Sequence, residues 1–165
     1  QEADVAIRFT NAPPLHLIGR KLGNLHQAVY GARDYVAAFK PEEAESDARW
    51  IAWGEPEECP EKVLNTPYPH LKVLGHFNSV QIQLSMIRQG GGIGFLPCLL
   101  GDAEPGLVRL TAPVSSMDVW LLSHGDTRAS ARMRAFRQFV LDRSTDVEAA
   151  LAGRLHGGGL PRSVK

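Results

Sequence analysis

The stretch from residue 71 to residue 97 constrains the fold more than any other part of the chain. Residues 71–74 (Leu-Lys-Val-Leu) alternate as a strand does, and His76-Phe77-Asn78-Ser79 follows with polar residues suited to open a helix. In residues 80–89, Val80, Leu84 and Ile87 fall at i, i+4 and i+7, the spacing of one helix face. Gly90-Gly91-Gly92 is its stop, because glycine accepts the left-handed conformation that closes a helix. Ile93-Gly94-Phe95-Leu96 then reads as a short buried strand ended by Pro97. Strand, capped helix, glycine stop and apolar strand in this order belong to an α/β sheet and not to a bundle or a sandwich.

The rest of the chain agrees. Val5, Ile7 and Phe9 alternate through residues 4–9, and Asn11-Ala12-Pro13-Pro14 ends that strand. Residues 15–22 and 25–30 read as two strands separated by Gly23-Asn24. A short helix follows over 33–39, stopped by Pro41, and Arg49-Trp50-Ile51-Ala52-Trp53 is an aromatic-rich strand. Later strands fall at 107–110 and 117–123. Ser130 caps a helix over 131–141, with Met133, Phe136, Phe139 and Val140 facing inward; 146–155 adds a helical turn or two, and residues 157–165 form a tail. Strands alternating with helices predict an α/β class with a largely parallel sheet.

Composition narrows the function. In 165 residues, 18 Lys and Arg balance 18 Asp and Glu, so this segment has no electrostatic case for holding DNA by itself. Charge is nevertheless uneven. Residues 40–62 carry eight acids against three bases, and residues 128–165 carry eight bases against three acids, which solvated loops and faces explain. No apolar run approaches the roughly 20 residues of a membrane span. Cys59 and Cys98 lack metal or redox spacing and read as isolated thiols, which weakly favours a reducing compartment. The opening Ala3-Asp4-Val5-Ala6-Ile7-Arg8-Phe9 reads as the middle of a fold, so the chain is expected to be a piece of a longer protein.

Catalytic motifs are weak throughout. The order at Gly90 to Gly94 is helix, glycines, strand, the reverse of a dinucleotide fingerprint, so a structural stop is the better reading. His156-Gly157-Gly158-Gly159 lacks any accompanying Gly-x-Ser-x-Gly elbow and reads as linker. His16, His26, His70, His76, His124 and His156 show no metal-ligand spacing; His76 and His124 read as satisfied strand-end histidines. No catalytic residue, metal or cofactor is expected, and the chain does not read as an enzyme. What remains is the set of strand-to-helix turns at Phe9-Thr10-Asn11, Tyr30-Gly31-Ala32-Arg33, Phe77-Asn78-Ser79 and Leu96-Pro97-Cys98. Helix N-termini at such turns present unpaired N–H groups, which suits a small, anionic organic molecule.

Those residues carry a resemblance. The Ala3 to Phe9 string, Leu17-Ile18-Gly19-Arg20-Lys21-Leu22-Gly23 and Ala28-Val29-Tyr30-Gly31-Ala32-Arg33-Asp34-Tyr35 resemble the effector-binding domain of LysR-type transcriptional regulators. So do Phe77-Asn78-Ser79, Gly91-Gly92-Ile93-Gly94-Phe95-Leu96-Pro97, Leu107-Val108-Arg109-Leu110, Val119-Trp120-Leu121-Leu122-Ser123-His124 and Arg128-Ala129-Ser130-Ala131-Arg132-Met133-Arg134-Ala135-Phe136. Eight strings fall in register between about residues 3 and 143. The resemblance implies two Rossmann-like α/β subdomains around an effector cleft, as in type 2 periplasmic binding proteins. Subdomain I would hold residues 1–24 and 106–145, without the strand, helix, strand and helix that open the family's domain. Subdomain II would hold 25–105, and 146–165 a C-terminal helix and tail. Carried over residue by residue, the effector-lining positions are Thr10, Asn11, Gly31, Phe77, Asn78, Ser79 and Pro97. Also implied are a bacterial, cytoplasmic regulator, a homodimer or tetramer, and DNA contact only through a preceding helix-turn-helix domain. A solute-binding protein of a transport system is the alternative with the same fold.

Overall fold

The computed structural model describes residues 5–14, 16–54, 63–123 and 131–154. Its strands are β1 (Val5–Phe9), β2 (Ile18–Ala32), β3 (Arg49–Trp53), β4 (Lys72–Phe77), β5 (Ile93–Pro97), β6 (Leu107–Arg109) and β7 (Val114–Ser123). Its helices are α1 (Arg33–Phe39), α2 (Val80–Arg88), α3 (Cys98–Gly101), α4 (Ala131–Asp142) and α5 (Ser144–Leu151). The strands join in one open sheet of order β1-β7-β2-β5-β3-β4, with β6 also on β2.

The unit that opens the sequence reading forms as its pattern dictates. Ser79 is the N-cap of α2 in extended conformation, although its hydroxyl donates to Gln81 Oε1 at 3.2 Å and not to the helix backbone. At the other end Gly90 takes φ +74°. Gly90 N–H bonds Ile87 O and Gly91 N–H bonds Met86 O, the paired bonds that close a helix on a left-handed residue. The helix buries Ile87 and also Gln83, whose amide sits 3.4 Å from Ile51 O.

Two expectations fail. The sheet is mixed and not largely parallel: β3 pairs parallel with β4 and β5, but β1 with β7 and β2 with β5, β6 and β7 are all antiparallel. Residues 18–32 are also one strand, with no turn at Gly23-Asn24. The ladders to β7 and β5 supply backbone partners along nearly its whole length, and Asn24 bonds across to Asp118 and Ser115 instead of turning the chain. The local sequence signal survives as two irregularities in the β2/β7 register, between Lys21 and Gly23 and between Leu25 and His26. Such bulges bend a ladder and increase its twist.

The core lies on both faces of the sheet, because successive residues of β3 point to opposite sides. Trp50 anchors one face: it is 1% exposed, donates Nε1–H to Tyr68 O at 2.9 Å and stacks on Phe95. Ile51 anchors the other with Ala28, Ile87, Leu96 and Cys98. A third cluster joins Leu22, Leu25, Val119 and Leu121 to Leu151 of α5. In α4, Val140 packs toward this cluster, but Phe136 and Phe139, expected inward, are 41% and 53% exposed. No described element covers that face, and Arg143 lies 4.0 Å over the Phe139 ring instead. Ser130, His124, Cys59, His156 and residues 157–165 lie outside the described residues, as does the Met133 side chain.

Candidate functional site: where strand ends face each other

The register fixes how the strand-to-helix turns relate. β1 and β2 both run antiparallel to β7, so they share a direction, whereas β5 opposes β2 and takes β3 and β4 with it. The carboxyl end of β1 therefore points toward the carboxyl ends of β3, β4 and β5. Phe9 and Gly23 both pair with Val119, and Pro97 pairs with Gln27. The two sets of ends meet along Gly23 to Gln27 of β2, four residues or about 13 Å apart in strand rise. The register irregularity at Leu25/His26 falls in this interval.

On the first side stand Thr10 and Asn11. Thr10 N–H donates to Asp118 O and its carbonyl accepts Trp120 Nε1–H at 3.1 Å. Asn11 Oδ1 accepts Asp118 N–H at 2.9 Å, and Thr10 Oγ1 accepts Ala12 N–H at 3.1 Å. Both residues are thus pinned to β7 by the bonds that turn the chain after β1. On the second side stand Phe77, Asn78, Ser79 and Pro97. Trp53 pairs with Phe77, Gly54 N–H reaches Phe77 O, and Pro97 leads β5 into α3. Asn78 is exposed, and Phe77, Ser79 and Pro97 are half-buried.

Gly31 does not join them. It pairs with Ile93 at the opposite end of β5 from Pro97, about 13 Å away by strand rise, and is buried between α1 and β5. Its strand does end in a helix, but β2 opposes β3, β4 and β5, so its carboxyl end lies on the other edge of the sheet. Direction, which no local pattern carries, separates it from the rest.

Four residues between the two sides were not foreseen. Lys21 Nζ lies 2.7 Å from Asp118 Oδ1, which also accepts Asn24 Nδ2–H at 2.9 Å; Ser115 Oγ–H donates to Asn24 Oδ1 at 2.8 Å. Lys21 beside it, then the Asn24 amide, hold the Asp118 carboxyl below its usual range. His26 Nδ1 is 3.0 Å from Asn24 O. Trp53, read only as a strand aromatic, is 49% exposed at the end of β3. Nearby on β4, His76 is not the satisfied histidine expected, since its Nδ1 is buried without a hydrogen-bond partner among the described residues. A separate cavity of about 30 Å³, lined by Val5, Ile18, Arg20, Leu121, Arg137 and Leu141, lies away from these ends and has room for about one water. Among the described residues no three His, Cys, Asp or Glu side chains gather as metal ligands, and no helix is long and apolar enough to cross a membrane.

An open mixed α/β sheet whose strand ends face each other across two long, bulged strands places this chain among the periplasmic-binding-protein-like effector domains. It belongs to the LysR substrate binding domain family, whose model matches residues 1–145, and so is an effector-binding domain of LysR-type transcriptional regulators. Three solved structures share the fold. The effector domain of AmpR from Pseudomonas aeruginosa matches with a TM-score of 0.68 at 21% identity, over 92% of this chain and 76% of that one. The regulatory domain of CrgA from Neisseria meningitidis gives 0.65 at 22% identity, over 85% and 74%. The regulatory domain of AphB from Vibrio vulnificus gives 0.62 at 20%, over 84% and 75%. No curated protein matches the chain in sequence. The family is regulatory and ligand-binding, not enzymatic.

Proposed function

We propose that this domain seats a small organic anion between the carboxyl end of β1 and those of β3, β4 and β5, and that the bound anion biases a bacterial, cytoplasmic regulator. The observation that carries the reading is the head-on approach of these ends over a bulged β2/β7 pair. Thr10 and Asn11 contact the effector from one side, and Phe77, Asn78, Ser79 and Pro97 from the other. The anionic character rests on α2: its first turn holds no acidic residue and no side chain caps it, so its leading N–H groups remain for an anion. Lys21 and Asp118 neutralise each other at the floor.

Two subdomains move relative to each other in this reading, one holding residues 1–24 and most of 106–145, the other 25–105. β6 pairs with Tyr30–Ala32 across β2 from β5, which supports a second crossing just after Arg109. An effector shifts the balance of arrangements only by its difference in affinity for them. A homodimer or tetramer then passes the preference to DNA-binding domains that precede this segment.

Calorimetric titration against a panel of small organic acids tests this. At least one acid is expected to bind, and Asn78→Ala/Ser79→Ala to weaken it about tenfold or more, the worth of two lost hydrogen bonds. Unchanged affinity in that variant removes the assigned site.

A further inference from the structure

Helix α5 lies across the place where the sheet bends. A Cβ on Gly23, at the first irregularity of β2, would sit 3.2 Å from Leu151 Cδ1 and 3.3 Å from Glu148 Cγ. Val147 and Leu151 pack on Leu22 and Leu25 of β2 and Val119 and Leu121 of β7, and Leu99 of α3 joins the same cluster. The helix thus sits on both long strands and touches the element that follows β5.

Its far end is held by a buried charged cluster. Gly153 takes φ +67°; Gly153 N–H bonds Ala150 O and Arg154 N–H bonds Ala149 O, closing α5 on a left-handed turn. The Gly153 carbonyl accepts Arg109 Nη2–H at 2.9 Å. The same guanidinium pairs with the Asp102 carboxylate, and its Nε lies 3.2 Å from Tyr30 Oη, which donates to Asp102 Oδ1 at 2.7 Å. Arg109 and Asp102 side chains are only 12% and 9% exposed. A buried guanidinium needs an acceptor for each N–H, and the turn after α5 supplies one that Asp102 and Tyr30 do not. All three cluster side chains stand on β2, β6 and the turn after α3, on the β5 side of the bend.

We propose that α5 is a strap across the hinge, latched at Gly153 by the Tyr30–Asp102–Arg109 cluster, and that it limits how far the two halves of the effector domain move apart. Any rotation about the bulged β2/β7 pair must slide α5 over Gly23 or free Gly153 from Arg109. The inference rests on the two-subdomain reading above, but its test needs no effector. Arg109→Lys keeps the charge against Asp102 and loses the fork that spans Asp102 and Gly153. Gly153→Ala attacks the latch from the other side, because its Cβ would fall 2.7 Å from Cys98 Cβ and 3.1 Å from Arg109 Nη2, and φ is left-handed.

Hydrogen exchange on the full chain is expected to quicken about tenfold or more over residues 147–154 in both variants, with the β2/β5 ladder unchanged. Spin labels at Arg8→Cys and Gln81→Cys in a Cys59→Ser background are expected to give a broader distance distribution when the latch is lost. Unchanged exchange in both variants overturns the latch, and faster exchange with an unaltered distribution overturns the strap. Failure of every acid to bind the wild-type chain refutes the effector site but leaves these two readouts to judge the strap.

Discussion

Replacing Gly31 with alanine separates a packing role from an effector-lining one. The added Cβ would lie 2.7 Å from Val36 Cγ2, 3.0 Å from Ile93 Cγ2 and 3.6 Å from Leu110 Cδ1, where carbon atoms prefer about 3.5–4.0 Å. Val36 and Ile93 are β-branched and stiff at χ1, and Ile93 is fully buried, so neither methyl swings aside freely. Overpacking of this kind costs about 1–3 kcal/mol, and the smaller entropy of the unfolded alanine chain returns about 0.4–1. The net expectation is about 1–2 kcal/mol of destabilisation, or roughly 2–8 °C in Tm for a chain of this size. Gly106→Ala is the matched control: its Cβ meets nothing within 4 Å, and stability should stay within about 0.5 kcal/mol. Urea unfolding followed by circular dichroism measures both, with effector affinity measured calorimetrically on each folded variant. If Gly31→Ala unfolds like the wild type but loses effector binding tenfold, the packing argument is wrong and Gly31 lines the site.

Three shorter predictions follow from other parts of the sheet. Trp50→Phe leaves Tyr68 O without its 2.9 Å donor in a fully buried position, so unfolding in urea should show a loss of about 1–3 kcal/mol; a neutral change would refute that bond's worth. Burial pushes the Cys98 thiol up, so it should not react with a disulfide reagent at mildly alkaline pH until the chain is unfolded. Lys21, then Asn24, depress the Asp118 carboxyl, so the stability this pair lends is present above the ordinary carboxylate range and is lost as pH falls through the lowered value. A carboxyl NMR titration should give a midpoint below the ordinary range, and Lys21→Met should raise it. A midpoint that ignores Lys21→Met would show that the ion pair does not hold Asp118.

Where local chemistry decides an element, the sequence is a sufficient guide. The glycine stop after α2 is one case: Gly90 is left-handed and the Gly91 amide reaches back to Met86 as the pattern requires. Where a partner far along the chain decides, it is not. Gly23-Asn24 has turn chemistry, yet Asp118 and Ser115, more than 90 residues away, take the Asn24 side chain and keep β2 continuous. The helix period of residues 131–141 likewise marks Phe136 and Phe139 as apolar, but periodicity cannot say whether a described neighbour covers them.

The same division runs through the candidate site. Each strand-to-helix turn is legible on its own, because asparagine, serine or proline at the end of an apolar strand marks it locally. Which turns share a site depends on strand direction, and direction is set by ladders that join residues as distant in sequence as Val5 and Ser123. Phe9 pairs with Val119, Val119 with Gly23, and Gln27 with Pro97; these three pairings bring Thr10 toward Pro97 and send Gly31 to the far edge. Lys21, Asn24, Ser115 and Asp118 escape a search among turns because they lie within β2 and β7. They matter because a site formed between opposing strand ends is floored by the strands that cross between them. In β2, where Arg20, Lys21, His26 and Gln27 are polar as well, Asn24 lies between the two register irregularities, and its side chain bonds across to Asp118 and Ser115 of β7.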